Sequence, residues 1–248
     1  VAGAISSIVN QSLSNTLYIY IDGPVPSELN DLVNSYDDVY VHFESKNRGL
    51  AVGLNFLIDL VLQSGFEFIA RMDSDDISHL CRLEQQVDFL TKNPKVDVLG
   101  AGFKEYGSSL ARGQVLLPEH HESLIDFSIT RCPFSHPTVM FRGSCFKSGI
   151  RYPVDTKLSE DLALWYLLLK QNYIFHNLPV ILLDYYIDKR TITRRRGFEK
   201  AYSEFRLRFS FMIISDRFSI ITLMALVTKF LWQNLPSPIL GILYKYLR

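Results

Sequence analysis

Two hydrophobic periodicities take turns along the first hundred residues, and this alternation restricts the fold more than any other feature of the chain. "AISSIVNQSL" carries Ile5, Ile8 and Val9 at helical spacing. "TLYIYIDGP" is a short apolar run ending at Asp22 and halted by Gly23 and Pro24, as a buried strand would be. A polar helix, "PSELNDLVNSY", leads to a second strand, "DVYVHFES". "NRGLAVGLNFLIDLVLQSG" then sets Leu50, Leu54, Leu57, Ile58 and Val61 on one helical face, with Gly65 as its stop. The strand "FEFIARMD", a helix marked by Leu83, Val87 and Leu90, and the strand "VDVLGAGF" complete the pattern. Helices alternating with apolar strands imply βαβ units and a mostly parallel sheet. In such a sheet ligands bind beyond the carboxyl ends of the strands, where Asp22 and Asp73 fall.

Three carboxylates, Asp73, Asp75 and Asp76, crowd into four residues after the strand "FEFIARMD". Like charges that close repel unless water or a cation screens them. A solvated turn with an N-capping aspartate is one reading. A calcium loop is excluded, although Asp73, Asp75 and Glu84 fall at its first, third and twelfth positions. Ile77 and Ser78 stand where a ligand and a glycine are needed, and a strand rather than a helix precedes. Gly100, Gly102 and Gly107 are the nearest approach to a dinucleotide fingerprint, but their spacing is wrong. The remaining reading is Mg²⁺ or Mn²⁺ held by one or two carboxylates and completed by water and substrate phosphates.

Beyond residue 103 the pattern is less regular. "CPFSHPTVMF" brackets His136 between prolines, and "SEDLALWYLLLKQ" opens a helix with Ser159 as N-cap and Glu160 and Asp161 in its first turn. Charge then divides the chain. Residues 189–248 hold twelve Lys and Arg against three Asp and Glu, whereas residues 1–188 hold fourteen against twenty-three. Two parts are expected: an acidic body, 1–188, and a basic, apolar helical tail, 189–248. Beyond Arg217 an uncharged run, Phe218 to Thr228, has eleven residues, short of the roughly 20 that span a bilayer. Basic, aromatic-rich helices of this length suit a membrane surface, and a second apolar segment follows Pro236 and Pro238. Because the "RRR" run adjoins apolar helix rather than an aromatic stacking platform, no nucleic-acid partner is expected. Three cysteines without a C-x-x-C pair point to a reducing compartment.

The motifs "AISSIVNQSL", "YIYIDGP", "NRGLAVGLN", "FIARMDSDDISHLCRLEQQVDFL", "HPTVMFR" and "SEDLALWYLLL", in that order from about residue 4 to 175, resemble the family 2 glycosyltransferases. These are inverting, nucleotide-sugar-dependent enzymes of the GT-A (Rossmann-like) α/β fold, and the likeness is to bacterial O-antigen enzymes. That resemblance implies a UDP-sugar donor, galactose favoured and glucose next, and a GlcNAc-diphospho-undecaprenol acceptor joined in a β1,3 linkage. It implies Mn²⁺ (or Mg²⁺) as cofactor and a peripheral location on the cytoplasmic face of the bacterial inner membrane. On this likeness Asp22 contacts the uracil, Asp73 the ribose side, and Asp75 the metal, with Asp76 as rival for that duty. Asp161 is the general base and Glu160 orients the acceptor or the base. Arg71 and Arg82 flank the triplet, placed to pair either with diphosphate or with the aspartates; His136 touches donor or acceptor, or is a structural histidine. The family's first strand would precede residue 1, so an N-terminally incomplete sequence is expected. The alternative to an enzyme is an inactive glycan- or nucleotide-binding relic of the same fold.

Overall fold

The structure, a computed structural model, describes residues 1–37, 39–109, 111–156, 158–188 and 197–234. The first basic residues of the tail (189–196) and its second apolar segment (235–248) lie outside the described residues. In chain order the elements run α1 (Ala2–Val9), β1 (Leu17–Ile21), α2 (Ser27–Asn34), β2 (Val39–Phe43), α3 (Leu50–Gln63), β3 (Phe68–Ala70), β4 (Ile77–Ser78), α4 (Arg82–Lys92) and β5 (Val98–Tyr106). They continue with β6 (Gln114–Val115), α5 (His121–Thr130), a 3-10 turn (His136–Thr138), β7 (Met140–Arg142), α6 (Ser144–Lys147), α7 (Glu160–Lys170) and β8 (Phe175–Tyr186). Two tail helices, α8 (Phe198–Ile214) and α9 (Ile220–Gln233), close the described chain.

The expected α/β layering is present, and parallel pairing joins more residues than the short but more numerous antiparallel ladders among the described strands. β1 pairs parallel to β2, Leu17 opposite Val39, over a small core of Ile5, Ile21 and Val33. β5 pairs parallel to β8 along its whole length, from Val98 opposite Phe175 to Tyr106 opposite Tyr186. The ladders β3–β7, β5–β7, β5–β6 and β4–β8 are antiparallel. β6 returns on β5 after a short connection, as a hairpin does, whereas β7 and β8 arrive only after α5 and α7.

β5 is buried on both faces from Val98 to Phe103, which explains its unbroken apolar sequence. Its glycines serve packing. A Cβ on Gly100 would stand 2.0 Å from Asn177 Oδ1, and one on Gly102 would stand 2.5 Å from Leu116 Cδ2. The dinucleotide spacing is therefore a close strand contact. Beside β5, Trp165 of α7 is fully buried against Phe134 and Phe141, at ring separations of 5.1 and 5.7 Å. This aromatic core fixes the start of α7, and with it Glu160 and Asp161, relative to the strand ends.

Helices α8 and α9 lie back on α5 and α7. Phe211 stacks on Tyr166 at 4.1 Å, and buried Arg208 donates to the carbonyls of Ser128 (2.6 Å), Ile129 (3.2 Å) and Arg131 (3.1 Å). Glu204 pairs with Arg208 at 2.8 Å and with Lys229 of α9 at 2.6 Å, so one buried ionic knot ties both helices to the body.

Candidate active site

β3 ends at Ala70, and the next residues turn through the acidic triplet before β4 begins. Asp76, fully buried, accepts the Tyr186 backbone N–H at 2.8 Å through Oδ1; its Oδ2 has no hydrogen-bond partner among the described residues. Burial, reinforced by Asp73 and Asp75, pushes its carboxyl up to about 8. Asp73 is half-buried and paired with Arg71, while Asp75 is exposed. One carboxylate oxygen from each of the three lies within 4.8 Å of the others. Hard oxygen donors that close, one with an unpaired buried oxygen, fit a divalent cation of the Mg²⁺ or Mn²⁺ type.

Arg71 carries the link to the second acidic pair. It is buried, its Nε and Nη1 are without partners among the described residues, and it feels the charges of both Asp73 and Asp161. The field of Asp161 reaches the buried Tyr152 hydroxyl too, along with those of Arg71, Glu160 and Asp73. Through Arg71 and Tyr152 the residues read separately from strand end and helix start share one electrostatic neighbourhood.

Asp161, half-buried in the first turn of α7, accepts the Leu162 N–H at 2.7 Å through Oδ1 and the Cys132 thiol at 4.0 Å through Oδ2. Burial pushes its carboxyl above the usual range, against the pull of that N–H, Lys200 and Arg71. Glu160 is raised by burial and by Asp161, and is likewise opposed by Lys200 and Arg71. A carboxylate with a raised pKa is the better proton acceptor.

The other expected residues lie around this group in different ways. His136 Nε2 is 2.8 Å from the Tyr152 hydroxyl, and burial drives its pKa well below the imidazole range, so it stays neutral. Asp22 accepts the backbone N–H groups of Arg48 (2.6 Å) and Gly49 (2.8 Å), fastening the loop before α3. Arg82, fully buried, donates to the Arg71 carbonyl at 2.8 Å and to Gln86 at 3.1 Å and so braces Arg71, while its Nη1 has no partner among the described residues. Desolvation and Arg71 lower its pKa to about 9.

Tyr152 and Lys200 were not legible in the sequence. Tyr152 is locked by Asn55, which donates to its carbonyl at 2.9 Å and accepts its N–H at 2.8 Å across the fold. Asn55 sits inside the motif "NRGLAVGLN", the one signal that could have drawn notice to it. Lys200 belongs to a helix read from its charge as membrane-facing, yet it acts on Glu160 and Asp161.

Known proteins resemble this chain in sequence and in fold. The family model described as "Glycosyl transferase family 2" matches residues 1–156. The chain is 31% identical over 250 residues to the UDP-Gal:alpha-D-GlcNAc-diphosphoundecaprenol beta-1,3-galactosyltransferase of Escherichia coli, covering 98% of this chain and 88% of that one. Among solved structures, S. aureus TarS 1–349 in complex with UDP superposes with a TM-score of 0.60 at 16% identity, over 88% of this chain and 68% of that one. The mannosyltransferase PcManGT from Pyrobaculum calidifontis, in complex with GDP-Man and Mn²⁺, gives 0.59 at 14% identity, over 97% and 67%. At those identities the structural likeness speaks for the GT-A fold, whereas the family model and the Escherichia coli relative speak for the sequence. The chain belongs to glycosyl transferase family 2.

Proposed function

We propose that this glycosyltransferase moves a hexose, galactose favoured and glucose next, from a UDP-sugar to GlcNAc-diphospho-undecaprenol in a β1,3 linkage, for O-antigen synthesis. The observation that carries the reading is the similarity to the Escherichia coli galactosyltransferase along nearly the whole chain, tail included.

In this reaction Asp161 takes the proton of the acceptor hydroxyl as the oxygen attacks the anomeric carbon, and Glu160 orients that hydroxyl. Arg71, with two unpaired donor nitrogens and charge complementary to phosphate, steadies the donor from the triplet side. Asp73 meets the ribose side of the nucleotide and Asp22 the uracil. Asp75 and Asp76 would hold a divalent ion, which, when bound, neutralises the charge that builds on the departing diphosphate. Attack from the face opposite the leaving group inverts the anomeric centre, so an α-linked donor yields a β-linked product.

The acceptor's lipid requires a membrane surface, and the tail helices offer one. Phe198, Tyr202, Phe209 and Ile213 are exposed on α8, and Ile220, Ile221, Met224 and Leu231 on α9, with Ile221 at 77%. Among the described residues no helix is long and apolar enough to cross a membrane, and these stripes suit peripheral docking on the cytoplasmic leaflet. A cavity of about 440 Å³ beside α7 and α8, bounded by Tyr166, Phe198 and Tyr202, has Lys170 and Arg206 in its wall together with Asp155 and Glu199.

A panel of UDP-sugars assayed with synthetic GlcNAc-diphospho-lipid tests the reading. UDP-galactose should give the fastest transfer and UDP-glucose the next. Turnover confined to another nucleotide sugar, or acceptance of GlcNAc without its diphosphate at the same rate, would overturn it.

A further inference from the structure

Two histidines and a carboxylate meet at the end of the sheet away from the triplet. His176 is the second residue of β8, ten residues before Tyr186, whose N–H holds Asp76. Because β8 bulges between Leu178 and Ile181, the two are better measured by their partners on β5, Leu99 and Tyr106, seven residues and roughly 23 Å apart along the strand.

Beside His176, the segment entering α5 is laced to β8. Asn177 N donates to the Glu119 carbonyl at 2.9 Å, Asn177 Nδ2 donates to the Pro118 carbonyl at 2.9 Å, and Phe175 N donates to His121 Nδ1 at 3.1 Å. These bonds hold both backbones before any ligand arrives. One ligand atom each from Glu119, His120 and His176 lies within 4.8 Å of the others. The His176 ring is stacked on Phe89 at 4.6 Å and tilted against His120 at 5.5 Å, which limits its rotation. Its Nε2 is closed off from solvent and makes no hydrogen bond among the described residues, although Glu119 Oε1 is 3.5 Å away. A buried ring nitrogen with a carboxylate 3.5 Å off and no hydrogen bond among the described residues calls for an explanation, and a metal ion shared with that carboxylate supplies one.

The donor set selects the ion. Two imidazoles with one carboxylate suit Zn²⁺, whose tetrahedral shell takes three protein ligands and leaves one position for water; Mg²⁺ and Mn²⁺ favour the all-oxygen triplet. We propose that Glu119, His120 and His176 form a zinc site that clips the start of α5 to β8. With three protein ligands and one position left for water the site is an open one, and it is independent of sugar transfer. Its effect passes through α5 to the carbonyls of Ser128 and Ile129, where Arg208 anchors α8.

The test uses the full chain, stripped of metal and titrated with Zn²⁺ alone, beside His120→Ala and Asp75→Asn. His120 is exposed, so its replacement leaves the core intact. Wild type and Asp75→Asn should each retain a zinc ion that His120→Ala binds at least about tenfold more weakly. Zinc should raise the melting midpoint of the first two proteins and leave that of His120→Ala unmoved, while transferase turnover of His120→Ala stays at the wild-type level. Absence of zinc binding to wild type overturns the proposal. So does equal affinity in wild type and His120→Ala, with loss in Asp75→Asn, which would place the ion on the triplet.

Discussion

Asp161 has its Oδ1 on the Leu162 N–H and its Oδ2 beside the Cys132 thiol, in surroundings that raise its pKa. As the proposed base it works deprotonated. The acid limb of kcat should therefore lie above the ordinary aspartate value of about 3.9, with activity lost as pH falls through the raised value. Asp161→Asn should lower kcat by about 10²–10⁴-fold, the usual worth of a general base, while UDP-sugar affinity by calorimetry changes little. Asp76 carries the opposite linkage. Its carboxyl, raised to about 8, holds a proton in the folded state that the unfolded chain releases near pH 4. The folded state then binds more protons than the unfolded one between about pH 4 and about pH 8, so ion-free stability falls as pH rises through that window. Melting scans in chelator should show that fall, Asp76→Asn should flatten it, and Mn²⁺ should reverse it in wild type alone. A pH-independent midpoint in the chelated wild type would contradict the buried-acid assignment.

Helix α8 was read from its charge as part of a membrane-docking tail, yet its inner face belongs to the catalytic body. Arg208 is fully buried and holds three carbonyls at the end of α5, with Glu204 and Lys229 completing the knot. Removing one member of such a buried network costs about 3–5 kcal/mol, because its partners stay buried and unpaired. Arg208→Ala should therefore lower the melting midpoint by many degrees. Glu204 has its pKa held below the carboxylate range by Arg208 and Lys229, against the opposing pull of desolvation. Its contribution is present above the unfolded value of about 4.3 and is lost as pH falls through the depressed folded value; Glu204→Gln should lack that acid-induced loss in denaturant titrations. The contrast with the earlier elements is instructive. From α1 to β5, period and stop signals agreed, so each segment except the two-residue β4 was legible where it stands. β8 escaped notice because "FHNLPVILLDYY" has a proline in its middle and a polar start, although pairing with β5 makes a long strand of it. Alternation likewise cannot reveal a strand's direction, which is why the antiparallel ladders differ from the sheet expected.

On the proposed reading the molecule as a whole sets two tasks side by side, chemistry at the strand ends and attachment through α8 and α9. The outward stripes of these helices make attachment testable without disturbing the core: Ile221→Glu with Met224→Glu should abolish flotation with anionic vesicles and leave the melting midpoint within a degree or two, since both residues are exposed. Retained flotation would remove α9 from the account. How much of the site could be read beforehand follows from the same division. The aspartates were visible because chemistry confines them to a strand end and a helix start. Tyr152, Lys200 and the bracing role of Arg82 were not, because each depends on contacts across the fold that no local pattern encodes. The claim on which the rest depends is that the triplet and Asp161 act on opposite faces of one sugar. The most direct measurement is the anomeric configuration of the product, by NMR, from an α-linked UDP-hexose and GlcNAc-diphospho-lipid, run beside Asp161→Asn. The account expects a β-linked product from wild type and almost none from Asp161→Asn; an α-linked product, or wild-type turnover in Asp161→Asn, would contradict it.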